Sequence, residues 1–213
     1  MTAADLRRGP VADAIRNHRL IAVLRRIEPR AALLAMVDEL AGAGVRVIEV
    51  TLDAPSASDD LTAVRAHLAG RGDGMYVVGA GTVLRLEQLD AAREAGADFV
   101  VAPICDVTLV RAALELGMPV IPGGFTPTEI VAAWSAGATF VKVFPASAVG
   151  PTFVRELRGP LPEIDLVPTG GVESTNAAAF LAAGAAAVGI GGALVRASAE
   201  ERRALVGSFL EPA

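Results

Sequence analysis

Cysteine, histidine and lysine are all scarce in this chain, and each scarcity removes a class of chemistry. Cys105 is the single cysteine, so no intramolecular disulfide and no cysteine-rich metal site can form. An unpaired thiol also suits a reducing cytoplasm. The two histidines, His18 and His67, stand far apart in polar, helix-like surroundings and offer no histidine metal site, although carboxylates alone can hold Mg²⁺. Aromatic residues make up only 4% of a chain that is 53% hydrophobic, with mean hydropathy +0.49. Valine, isoleucine, leucine and alanine therefore supply the apolar content. That mix disfavours a sandwich or antiparallel barrel and suits buried parallel strands covered by alanine-rich helices. A basic stripe is also missing: net charge is −5, pI is near 5.1, and the arginines are scattered. Nucleic-acid and membrane partners are not expected.

The opening segment, MTAADLRRGPVADAIRNHR, lacks the apolar core that a signal peptide needs, so a cytoplasmic location is expected. The stretch from Ala177 to Val195 has no charged or polar side chain and is long enough to suggest a membrane span. Nine alanines and four glycines fill most of it, however. It parses better as a helix, a turn at Gly184, a short strand and a glycine loop.

A phrase recurs along the chain: a helix ending in Ala-Gly, then an apolar run. It appears as AGAGVRVIEVT at 41–51, EAGADFVVAP at 94–103, SAGATFVKVFP at 135–145 and AAGAAAVGIGG at 182–192, with a looser copy, LELGMPVIPGG, at 114–124. Glycine suits the left-handed residue that closes a helix, and the apolar run suits a buried strand. Three further runs, LIAVLR at 20–25, MYVVGA at 75–80 and IDLVPT at 164–169, bring the expected strands to eight. Helix starts are expected at Pro29–Arg30, Leu86–Glu87, Thr126–Glu129 and Ser174–Thr175. The chain length of 213 residues then predicts one α/β domain over 1–213, a (β/α)₈ TIM barrel with a short N-terminal helix. An open doubly wound sheet is the alternative, but no G-x-G-x-x-G follows the first strand.

Lys142 is the only lysine against eighteen arginines, so side-chain amine chemistry must use it. It lies in T-F-V-K-V-F-P, where alternation sets Phe140, Lys142 and Phe144 on one face and Val141 and Val143 on the other. If the valines meet the helices, the lysine faces the barrel interior. Lost hydration there lowers its pKa and leaves a neutral amine suited to Schiff-base catalysis. Glu49, in V-R-V-I-E-V-T-L, is a second charge inside an apolar strand and needs a partner. The two residues read either as an amine with a proton-transfer base or as a structural ion pair. Arg25, at the end of the first strand, suits a substrate carboxylate, with Arg26 facing solvent. Thr82, in G-A-G-T-V, is either a donor to that carboxylate or a helix cap. Two glycine pairs, P-T-G-G at 168–171 and I-G-G-A at 190–193, follow the last two strands, where such barrels cradle phosphate.

Taken in order, A-V-L-R, V-I-E-V-T, V-G-A-G-T-V, I-P-G-G-F-T-P-T-E, F-V-K-V-F-P-A, P-T-G-G-V and G-I-G-G-A-L-V are highly specific. From about Ile21 to Leu194 the chain resembles the 2-keto-3-deoxy-6-phosphogluconate and 2-keto-3-deoxy-6-phosphogalactonate aldolases. The resemblance implies a homotrimeric class I aldolase, without cofactor or metal, that reversibly splits a phosphorylated 2-keto-3-deoxy sugar acid into pyruvate and glyceraldehyde 3-phosphate. It implies that Lys142 is the Schiff-base residue and Glu49 the proton-transfer residue, with Arg25 and Thr82 on the pyruvate carboxylate. Pro103 and Phe144 then line the pocket, and Thr169 lies near the substrate hydroxyls. Gly170, Gly171, Gly191, Gly192 and Ala193 fall on the phosphate site. Two positions depart from the pattern. Asp53 stands where many members carry arginine, which sets an acid near an anionic substrate. Ala193 stands where many carry serine, which leaves phosphate to backbone amides. Rival readings are a galactonate-epimer or 4-hydroxy-2-oxoglutarate aldolase of the same family, a phosphate-binding isomerase or decarboxylase, and a silent barrel that only binds.

Overall fold

The computed structural model describes residues 1–210; the last three residues of the expected 1–213 domain lie outside them. Two helices, α1 (Ala3–Arg7) and α2 (Pro10–His18), precede the first strand where one was expected. Strands and helices then alternate: β1 (Leu20–Leu24), α3 (Arg30–Gly42), β2 (Val47–Thr51), α4 (Ala57–Ala69), β3 (Val77–Gly81), α5 (Leu86–Glu94), β4 (Phe99–Val101) and α6 (Val107–Glu115). The second half runs β5 (Val120–Ile121), β6 (Gly123–Gly124), α7 (Pro127–Ala136), β7 (Val141–Val143), α8 (Gly150–Arg158), β8 (Leu166–Pro168), α9 (Ala177–Ala182), β9 (Val188–Ile190), α10 (Gly192–Arg196) and α11 (Ala199–Leu210).

All strand pairs are parallel. They form a six-stranded sheet in the order β5-β4-β3-β2-β1-β9 and a three-stranded sheet in the order β6-β7-β8. The eight expected apolar runs appear as nine segments because Pro122 divides the fifth. Proline has no N–H to give to a ladder, but the Pro122 carbonyl accepts from the Lys142 amide at 2.9 Å, so β5 leads directly into β6. A single parallel bridge, Thr169 to Gly189, links the run after β8 to β9.

The glycines of the recurring phrase do what the pattern requires. Gly44, Gly96, Gly117, Gly137 and Gly184 all have positive φ, from 69° to 114°. Thr126 caps α7 in a reciprocal box with Glu129, and α3 and α5 begin at Arg30 and Leu86. The start expected at Ser174–Thr175 is displaced to Ala177. There Asn176 takes over: its Oδ1 accepts from the Glu173 amide and its Nδ2 donates to the Gly171 carbonyl, which ties down the P-T-G-G loop. The segment 177–195 divides as expected into α9, a turn at Gly184, β9 and a glycine loop. Among the described residues no helix is long and apolar enough to cross a membrane.

The core has two layers. The outer layer lies between sheets and helices and takes Val141, Val143, Ile48, Val50 and Ala80. The inner layer takes Ile21, Val47, Val77, Phe99, Val101, Ile121, Phe140 and Val167 on the concave face, together with Ala12 and Ile15 of α2. Helix α2 therefore seals the end of the sheets from which the strands start. Glycine on β3 makes room for the large inner residues: a methyl group on Gly79 would run into the Phe99 ring. Of the buried polar side chains, Glu49 and Lys142 lie midway along β2 and β7, while Thr51 ends β2 and Thr169 follows β8.

Candidate active site

Lys142 sits in the middle of β7, with Gly123 of β6 on one side and Val167 of β8 on the other. Its valine neighbours face the helices and Phe140 belongs to the inner layer, so the lysine points to the concave face, as alternation predicts. Only 4% of Lys142 is exposed. Burial pushes the pKa of the amine below its ordinary value of 10.5; nearby Glu49 opposes that shift and Arg25 adds to it. The Nζ lies 4.8 Å from the centroid of the Phe144 ring.

Glu49, on β2, is 2% exposed, and its Oε1 has no hydrogen-bond partner. Burial raises its pKa above 4.5, against the opposing fields of Lys142 and then Arg25; Asp53 adds a little to the rise. The carboxylate lies against Gly81 of β3, where any Cβ would collide with it. Among the described residues no ion pair within 4.0 Å joins Lys142 to Glu49. A structural pair would close that gap, because a buried charge is stable only when compensated at close range. Here an amine and a carboxylate are both desolvated, sense each other's field, and remain uncommitted.

Arg25 follows β1 and is half-exposed. Its Nη2 donates to the Thr82 hydroxyl at 3.1 Å, and its Nη1 lies 3.4 Å from Asp53. Thr82 has φ +58°, an uncommon conformation for a β-branched residue. It is not a helix cap, since Arg85 occupies that position for α5. Its neighbour's amide, Val83 N, donates to the Val101 carbonyl at 3.0 Å and helps hold the turn. Asp53 accepts from the Thr51 hydroxyl at 2.7 Å and lies 3.2 Å from Arg26 Nε. Its acidity is thus balanced by two arginines. Arg26, expected to face solvent, is exposed yet also holds Asp53.

A cavity of about 300 Å³ opens over this region. It is lined by Arg25, Lys142, Phe144, Thr169, Gly170, Gly171, Gly191, Gly192 and Ala193, so nine of the twelve expected site residues share one wall. Glu49, Thr82 and Pro103 are not on that wall. Glu49 lies behind it. Thr82 reaches it through Arg25. Pro103 follows β4, with its carbonyl against Gly123. Thr169 is buried, and its hydroxyl donates to the Val167 carbonyl at 3.3 Å. Gly170 and Gly171 both have positive φ and lie against Phe144 and Ser147. The sequence reading missed Val23, Val172, Glu173, Gly189 and Arg196 on the same wall. An arginine one helical turn beyond a Gly-Gly was the available signal for the last. A roomier groove of about 630 Å³ between α7 and α8, lined by Pro127, Val131, Phe153 and Leu157 with Thr128 and Glu156, is mostly apolar and holds none of the expected site residues. Among the described residues no group of three or more histidine, cysteine, aspartate or glutamate side chains is placed to hold a metal ion.

Comparison with known proteins decides the family: the model described as KDPG and KHG aldolase matches residues 11–206. The chain belongs to this aldolase family. It is 38% identical over 185 residues to the 2-dehydro-3-deoxy-6-phosphogalactonate aldolase of Escherichia coli (strain K12), covering 86% of this chain and 88% of that one. It is 39% identical over 168 residues to the 2-dehydro-3-deoxy-phosphogluconate aldolase of Pseudomonas aeruginosa, covering 78% and 74%. Among solved structures it resembles the KDPG aldolase of Legionella pneumophila with pyruvate captured as a covalent carbinolamine. That match has TM-score 0.80 and 27% identity, over 95% of this chain and 97% of that one. The aldolase is accordingly a carbon–carbon lyase.

The two buried charges weaken the fold that carries them. Glu49, with a raised pKa, costs stability above pH 4.5, where the unfolded carboxylate has ionised. Lys142, with a lowered pKa, costs stability below pH 10.5, where the unfolded amine is still charged. Replacing both by methionine should stabilise the aldolase by about 1–4 kcal/mol at neutral pH. The gain should shrink below pH 4.5 and above pH 10.5. Urea unfolding across pH checks this; a double variant less stable than wild type at neutral pH would contradict it.

Proposed function

We propose that this aldolase reversibly cleaves 2-keto-3-deoxy-6-phosphogluconate to pyruvate and glyceraldehyde 3-phosphate, through an imine at Lys142. The observation that carries the reading is the Lys142 amine, desolvated inside the cavity and free of a direct carboxylate contact. A neutral amine attacks a ketone, whereas an ammonium cannot. Arg25, backed by Asp53 and Thr82, orients the substrate carboxylate through its planar fork. Lys142 adds to the C2 carbonyl, and Glu49 moves protons as the carbinolamine loses water. The protonated imine then accepts the electrons of the C3–C4 bond once the C4 hydroxyl has given up its proton. The aldehyde leaves, the enamine is protonated at C3, and water releases pyruvate. Thr169 and Phe144 lie where the middle of the substrate would run, with Pro103 shaping the wall behind β4. Backbone amides of Gly170, Gly171, Gly191, Gly192 and Ala193 receive the phosphate. The mechanism uses no cofactor and no metal.

The framework we infer is one domain, a (β/α)₈ barrel in the cytoplasm. The run β5–Pro122–β6 as one strand and the Thr169–Gly189 bridge both support its closure. The assembly we infer is the homotrimer that the family resemblance implies. Exposed Leu84, Ile104 and Phe125, on the loops after β3, β4 and β6, and Leu86 at the start of α5 support an interface.

Three outcomes follow. Borohydride with pyruvate should leave a stable adduct at Lys142, seen by peptide mass mapping, and Lys142→Arg should lose activity by about 10³-fold or more while remaining folded. No pyruvate-dependent mass increase would leave the isomerase and silent-barrel readings instead. The galactonate epimer is the second reading, favoured by the longer match, 185 against 168 residues, to the phosphogalactonate aldolase, whereas the P-T-G-G phrase with Thr169 favours the gluconate form. We expect kcat/KM about tenfold higher on the gluconate epimer; a preference for the galactonate epimer reverses the substrate assignment. Ile104→Glu should shift the sedimentation coefficient from trimer toward monomer, because a charge in an apolar interface is costly. An unaltered trimer would place the interface elsewhere.

A further inference from the structure

We propose that Arg196 is a phosphate-binding residue of this aldolase and sets its preference for phosphorylated over unphosphorylated substrates. This rests on the Schiff-base reading above and adds to it a residue that no motif had singled out. Arg196 closes the one-turn helix α10, four residues after Gly192. Residues at that spacing share a helix face, and long side chains lean back toward the start of the helix. The guanidinium accordingly folds over the Gly-Gly loop: a Cβ built on Gly192 would lie only 2.6 Å from Arg196 Nη1. Gly192 is not among the positive-φ glycines, so its backbone does not demand glycine there. The mobile end of the Arg196 side chain lies in that space instead.

Three further observations give this cation a ligand to meet. Arg196 lines the same cavity as Lys142, Gly170, Gly171 and Gly191, at the end that holds both glycine loops. Glu173 lines that end too, but among the described residues no ion pair or hydrogen bond engages the Arg196 guanidinium. Its neighbour Arg202 shows the contrast: that side chain is buried, paired with Glu39 at 2.7 Å and bonded to the Leu194 carbonyl, and so is structural. Lastly, Ala193 provides no hydroxyl at the loop. A guanidinium stays charged at any physiological pH and grips phosphate through parallel N–H donors. An arginine one turn downstream thus replaces a neutral donor by a charged one. The residues around Lys142 are left to read the keto acid alone.

Steady-state kinetics on R196Q and R196K test this, with the phosphorylated sugar acid and its unphosphorylated counterpart as substrates. In R196Q the ratio of kcat/KM for phosphorylated over unphosphorylated substrate should fall about tenfold, through KM rather than kcat. R196K should recover part of the ratio, and inorganic phosphate should inhibit R196Q more weakly than wild type. An unchanged ratio, or an equal loss on both substrates, overturns the proposal. Pyruvate trapping at Lys142 separates the two readings. A wild-type enzyme that traps pyruvate while R196Q keeps its ratio refutes the Arg196 role alone, and failure to trap removes the Schiff-base reading itself.

Discussion

Keeping one amine dry without giving it a counter-ion is the constraint on which the rest of the structure turns. A lysine in an apolar setting is driven either to pair with a carboxylate or to lose its proton. The fold blocks the first course by distance. Glu49 reaches the concave face from β2 and Lys142 from β7, on different sheets, and no ion pair joins them among the described residues. Helix α2 and the inner layer of Phe99, Phe140 and Val167 exclude water from the opposite end. The open end of the strands, bordered by Arg25 and the two glycine loops, is the remaining approach to the amine.

Burial acts on both groups in the direction that chemistry needs. It lowers the lysine and raises the glutamate, so their proton affinities converge. Proton transfer between groups of similar affinity costs little. The arginine–aspartate cluster outside does the opposite. Arg25, Arg26, Asp53, Thr51 and Thr82 are linked by hydrogen bonds and ion pairs near solvent, where charge is well supported. Fixed charge thus gathers at the solvent side of the site, and the two groups whose charged forms are disfavoured lie deeper. The strained φ of Thr82 belongs to this arrangement, because it turns the hydroxyl toward Arg25.

Much of this was legible in the sequence because it rests on local periodicity. Alternation alone placed Lys142 and Phe140 opposite Val141 and Val143, and the Ala-Gly phrase located five helix ends from backbone geometry that only glycine adopts freely. What escaped was set by contacts distant in sequence or by small departures from ideal elements. Pro122 splits a strand whose apolar run reads as continuous. The helix α9 begins after Asn176, not at Ser174–Thr175, and the Asn176 side chain is spent on the preceding loop at Glu173 and Gly171. Asp53 looked adverse to an anionic substrate until Arg25 and Arg26 were seen to flank it. Arg196 carries no motif, and its place depends on how a five-residue helix folds its side chain back.

The two glycine pairs look alike in the sequence and differ in cause. Gly170 and Gly171 both occupy the left-handed region, so any other residue there would strain the backbone. At Gly192 the backbone is not left-handed, and the end of the Arg196 side chain lies where a Cβ would point. The first pair is thus bound to a backbone shape that the Asn176 side chain helps to fix. The second lies against the end of one flexible side chain, which can swing aside. Within one cavity lining, the first pair is thus set by conformation and the second borders a movable side chain. Residues 192, 193 and 196 can therefore vary without disturbing the strand that carries the amine.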